Sequence, residues 1–166
     1  MTEQDQEKRY PIPLVDKDWV GGTALSIPMF PAIVGLFVGS SDDMFKYYAG
    51  VKDHSLLRML AKERLDSYSD ADKGWVFIEG AESIIRLRRL DLSDMKCVGT
   101  LYHEALHVAL DIVLRVGLEV GRNGEILAYL QGYIVEKLLD ELRNGDYGTL
   151  LPDGTKIKVI RSGGQQ

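Results

Sequence analysis

The sequence predicts an α+β domain, and three observations carry that expectation. Short apolar runs rich in β-branched residues, such as Pro31–Val38, have strand length and strand composition. Two longer segments, one around residues 94–116 and one around residues 124–143, repeat apolar residues at helical spacing. Strands and helices are grouped rather than strictly alternating, which is the α+β pattern and not a doubly wound one. The 166 residues are 45 % hydrophobic and 27 % charged, a composition that supports one packed core.

Taken in order, residues 1–9 are polar and are expected to form a tail, and Ile12–Val15 a short strand. Pro31–Val38 closes at Gly39-Ser40 and is expected to be a buried strand. Ser41-Asp42-Asp43 then supplies an N-cap and an acidic first turn for a helix to about Tyr48, stopped by Gly50. Asp53 or His54 starts another helix, with Leu56, Leu57, Leu60 and Leu65 on one face, and Asp66–Gly74 is a polar loop. Trp75–Ile78 and Ser83–Leu90 are strands joined across Glu79–Glu82; alternation of Ile85 and Leu87 with Arg86 and Arg88 marks the second as a half-exposed or edge strand. After a turn at Asp91–Asp94, a helix capped by Ser93 or Asp94 runs to about Val116 and ends at Gly117. Asn123 caps the last helix, Gly124 to about Arg143, and residues 150–160 form a hairpin turning at Pro152-Asp-Gly. Residues 161–166 are a second tail, so the whole chain reads as one domain.

Charge and composition narrow the function. A net charge of −5 argues against a general nucleic-acid binder, which needs a basic surplus. The single cysteine, Cys97, forms no internal disulfide, which suits a reducing compartment. The first ten residues lack the apolar segment of a secretory signal, and the apolar run Ala24–Val38 is broken by Pro28 and Pro31 and too short to cross a bilayer. A cytoplasmic protein without a membrane partner is expected.

The chemistry concentrates in LYHEALHVALD, residues 101–111. Its His-Glu-x-x-His spacing on a helix puts His103 and His107 on one face, where both reach one tetrahedral Zn²⁺. Glu104 lies one step around, placed to take a proton from an activated water and return it to a leaving amine. At about 100° per residue, Thr100, His103, Glu104, His107, Asp111 and Arg115 share one polar stripe on an otherwise apolar helix. A buried helix with such a stripe is expected to turn it toward a cleft; the plainer alternative is a solvated face. A third ligand must come from elsewhere, because position 113 is Val113 rather than a third histidine. Glu125, opening the next helix, is the favoured ligand, with Glu136 its competitor and Glu119 a weaker one. Glu125 and Glu136 stand roughly 16 Å apart along a helix, so they do not share one ion. Glu125 also reads as an ordinary first-turn acid.

Other residues carry paired readings. Asp111 either orients an imidazole or pairs with Arg115 at i+4. Glu125, Tyr129, Tyr133, Glu136 and Asp140 form a second polar stripe, whose tyrosines either donate to an oxyanion or simply keep their hydroxyls at the surface. Gly132 at its edge is expected to admit a neighbouring helix. His54 reads as a surface residue at a helix start, and Arg86 and Arg88 as a charged strand face that, at a cleft edge, would pair with an extended peptide.

The order of a β-hairpin, HEALH on a helix and a glutamate on the next helix, over about Trp75–Leu142, resembles the zincin metallopeptidases in their glutamate-ligand (gluzincin-like) form. GTLYHEALHVAL and NGEILAYLQGYIVEKLL are also similar to small HExxH proteins of bacteriophage genomes. The resemblance implies a small mixed sheet, an active-site helix and a following helix carrying a glutamate. It implies zinc held by His103, His107 and Glu125, with Glu104 as general base and an edge strand, Ser83–Leu90, above the metal. A zinc-dependent peptidase acting on peptides or proteins follows, in the host cytoplasm if phage-encoded; the alternative is a non-catalytic zincin-like binding module with structural or no zinc.

Overall fold

The computed structural model describes residues 18–48, 73–145 and 147–159. The expected strand at Ile12–Val15, the helix from Asp53 or His54 with His54 itself, most of the Asp66–Gly74 loop and both tails lie outside the described residues. The elements are β1 (Gly21–Ile27), β2 (Ala32–Val38), α1 (Ser41–Tyr48), β3 (Gly74–Glu79), β4 (Glu82–Leu87), α2 (Met95–Arg115), α3 (Gly124–Asn144), β5 (Tyr147–Leu150) and β6 (Lys156–Val159). The class is the α+β one expected. The strands form one six-stranded mixed sheet in the order β3-β4-β2-β1-β5-β6, in which β2 and β4 run parallel and the other neighbours antiparallel.

The strand β1 was not among the expected elements. Ala24–Val38 reads as one interrupted apolar run, but the interruption is a turn: Ile27 pairs with Ala32, and Pro28-Met29-Phe30-Pro31 lies between them. Both prolines sit outside the ladder, where a missing N–H costs nothing. Leu25 and Ile27 of β1, Val34, Leu36 and Val38 of β2, and Ile85 and Leu87 of β4 face one core with the apolar sides of α2 and α3. On the opposite face Phe37, Trp75, Phe77 and Ile84 pack with Met44 and Tyr47 of α1. The sheet is thus apolar on both faces, which explains the near-continuous apolar run of β2.

Two expectations about β4 and the C-terminal hairpin change. β4 is an inner strand between β3 and β2, and β3 is the edge. Arg86 is therefore not on a charged face: it is 0 % exposed and its Nε donates to the Gly39 carbonyl at 2.7 Å. Arg88, past the end of β4, is exposed. The hairpin starts at Tyr147 rather than residue 150 and extends the sheet, because Gly148 and Thr149 pair with Gly22 and Gly21.

A glycine makes that junction possible. A Cβ at Gly148 would fall on the Tyr47 hydroxyl, which donates to the Gly22 carbonyl at 3.0 Å. Gly148→Ala is expected to lower stability by about 1–3 kcal/mol by overpacking this contact. Urea denaturation measures it, and an unchanged midpoint would refute the packing.

The helix ends are local and largely as expected. Ser40, rather than Ser41, caps α1: its Oγ accepts from the Asp43 amide at 3.1 Å and donates to Asp43 Oδ2 at 2.7 Å. Asp94 caps α2, accepting from the Lys96 amide at 2.9 Å. At the other end Gly117 has φ 78°, with Gly117 N–H donating to Leu114 O and Leu118 N–H to Val113 O, a complete Schellman ending. Asn123 occupies the cap position of α3 but makes no side-chain cap; its Nδ2 donates to the Glu119 carbonyl at 2.9 Å. By length and composition α2 is apolar enough to cross a membrane; here its Leu101, Ala105, Val108, Ala109, Ile112 and Val113 lie in the core against the sheet.

Candidate metal centre

α2 lies on the sheet with α3 beside it, and Gln131 Nε2 donates to the Tyr102 carbonyl at 2.8 Å, tying the two helices side by side. The sheet takes one side of α2 and α3 a second. The side left open carries His103 and His107, both exposed. Their Nε2 atoms approach to 3.2 Å, with ring centroids 4.8 Å apart and planes at 83°. Two imidazole nitrogens on one tetrahedral zinc, each at about 2.0–2.1 Å, lie roughly 3.3–3.4 Å apart. The pair therefore has the separation of two ligands of one ion. At this distance one ring also donates an N–H to the other.

The polar stripe does not behave as one surface. His103, His107 and Arg115 are exposed, Thr100 and Asp111 half-buried, and Glu104 is buried at 7 % exposure. Glu104 sits where α2 passes the first residue of β3. A Cβ on Gly74 would lie 3.1 Å from Glu104 Cγ and 2.8 Å from Thr100 Cγ2. The general-base candidate thus flanks the edge strand of the sheet, with the two histidines one step around the helix. Leu106 and Val116, apolar residues of the same segment, are exposed.

The carboxylates sort differently from the histidines. Glu125 is exposed in the first turn of α3, and among the described residues no group of three His, Cys, Asp or Glu side chains is placed to hold a metal. The structure brings His103 and His107 together and does not bring Glu125, Glu136 or Glu119 into a three-residue group with them. Glu119 pairs with Arg122 at 3.2 Å. Asp111 pairs with Arg115 at 3.5 Å, the surface-pair reading rather than the imidazole-orienting one. Glu136, Tyr129 and Tyr133 line an apolar groove of about 990 Å³ between α3 and the β1–β2 turn, which Tyr102 also lines and the two histidines do not. Gly132 lines the same groove, and a Cβ there would meet nothing within 4 Å, so it does not serve helix packing.

Gly74 escaped the sequence reading as the residue beside Glu104, because it ends a polar loop and nothing local marks its contact with a helix about thirty residues on. No family model matches the chain, and neither a curated protein nor a solved structure gives a significant match.

Proposed function

We propose that the protein is a zinc-dependent hydrolase of the metallopeptidase type. The observation that supports this most directly is the 3.2 Å convergence of His103 and His107 Nε2 on an exposed helix face. Neutral imidazoles are good zinc ligands, and this pair matches two positions of a tetrahedral site. Zinc, when bound, supplies Lewis acidity toward a carbonyl. Glu104 takes the proton of the attacking water and passes it to the leaving amine. Its burial against β3 limits competing solvent. Among the described residues β3 pairs only with β4, so its outer edge is the place for an extended peptide, in place of the Ser83–Leu90 strand. Glu125 remains the proposed third ligand from α3.

Digestion of a peptide library by zinc-loaded protein tests the proposal. Cleavage should stop with a chelator and return with zinc; cleavage that ignores the chelator, or none at all, contradicts it. Gly74→Ala should slow cleavage about tenfold or more with zinc content unchanged, because the new methyl crowds Thr100 and Glu104 on the facing side of α2. Equal rates would separate Glu104 from the chemistry.

A non-catalytic binding module is the second reading, and the groove favours it. Met29 is 84 % and Tyr129 78 % exposed along that groove, an apolar surface of the kind that marks contact with another molecule.

A further inference from the structure

We propose that a second cavity, at the N-terminal end of α2, binds a small dianionic oxyanion of the phosphoryl type. The cavity measures about 240 Å³. That is below the roughly 300–1,000 Å³ of sites for drug-sized ligands, and it suits a small anion. Four cationic side chains line it: Lys73 ahead of β3, Arg88 and Arg89 after β4, and Lys96 in the first turn of α2. The chain as a whole has 25 acidic and 20 basic residues, so four cations lining one cavity run against its overall balance.

The fold holds the cations together. The Arg88 amide donates to the Lys73 carbonyl at 3.0 Å, which fixes those two residues side by side at the end of the β3–β4 ladder. Asp94 is the one acid among the described residues of the lining, and it is already engaged by the Lys96 amide and by Arg89. The Lys96 amide above all, with Arg89, holds its carboxyl below the usual carboxylate range. Asp91 stands nearby and is hydrogen-bonded to Ser93. Lys73 and Lys96 form no ion pair among the described residues. Arg89 is matched by Asp94, while Lys73 and Lys96 place two further like charges beside that pair, and a bound anion relieves their repulsion. The positive end of the 21-residue α2 adds to the same field. Arginine forks beside lysine point charges are the donor set that phosphoryl oxygens take. The site is independent of the metal proposal, since His103, Glu104 and His107 do not line it.

Titration of inorganic phosphate into the full chain, followed by amide NMR shifts, tests this. Saturable shifts are expected at Cys97 and Thr100, with at least tenfold weaker binding in Lys73→Gln/Lys96→Gln. A control with equal charge loss elsewhere, Lys46→Gln/Arg122→Gln, should bind phosphate as wild type does. Acetate should bind more weakly; acetate binding as well as phosphate would reassign the ligand to a carboxylate and overturn the phosphoryl assignment. Absence of saturable phosphate binding, or equal weakening in both double variants, overturns the site itself.

Discussion

Glu104→Gln is expected to lower peptide hydrolysis by about 10²–10⁴-fold, the range a positioned general base supplies. Zinc content should stay at the wild-type level. The reason is the division of labour along α2: the two histidines face outward with Nε2 atoms 3.2 Å apart, while Glu104 turns toward Gly74 at the sheet edge. Glutamine keeps the size and the packing against Gly74 but does not accept a proton at neutral pH. Parallel measurement of kcat/KM on a cleaved peptide and of bound zinc checks both halves. A variant that keeps a tenth or more of the activity would show that Glu104 is not the base. A variant that loses zinc would show that Glu104 supports the metal instead.

The second large effect is on stability. Arg86→Ala is expected to cost about 3–5 kcal/mol, the range for truncating a large buried side chain to alanine. Arg86 is fully buried in an inner strand, across the ladder from Phe37 and Trp75, and its Nε donates to the Gly39 carbonyl at 2.7 Å. Alanine leaves a cavity in the second core and removes the donor from that carbonyl. Urea unfolding reads the loss; a change under about 1 kcal/mol would mean the arginine is dispensable to the sheet.

Arg86 also shows where sequence reading reaches its limit. Alternation of Ile85 and Leu87 with Arg86 and Arg88 has the period of a half-exposed strand, and the period is right. The second face of β4 is nevertheless covered, by a core that includes Phe37, Met44 and Trp75. One partner of the buried arginine is a carbonyl 47 residues away, which no local pattern reveals. β1 was missed for a related reason: Pro28 and Pro31 mark a turn between two paired strands only once the pairing of Ile27 with Ala32 is known.

What rests on short-range chemistry was legible. The Asp94 cap, the Gly117 ending, the β3–β4 hairpin and the bounds of α2 and α3 follow from residues within a few positions of one another. The same holds for the histidine pair, since a helix alone dictates that residues 103 and 107 meet. The separation of Glu104 from the histidines, its seat on Gly74 and the exposure of Glu125 depend on how α2 and α3 lie on the sheet. Tyr129, Tyr133 and Glu136 form a stripe by period, but the β1–β2 turn decides that this stripe borders an apolar groove rather than the histidine pair.

The central claim is that His103 and His107 are two ligands of one ion. Isothermal titration of zinc into metal-free protein, repeated on His103→Ala and His107→Ala, tests it most directly. One zinc per chain is expected for the wild type, with each single variant weakening binding by about 100-fold or more, since one ligand of a tetrahedral set is gone. Wild-type protein that takes up no zinc, or variants that bind it equally well, would make the 3.2 Å contact a hydrogen bond between two surface imidazoles and nothing more.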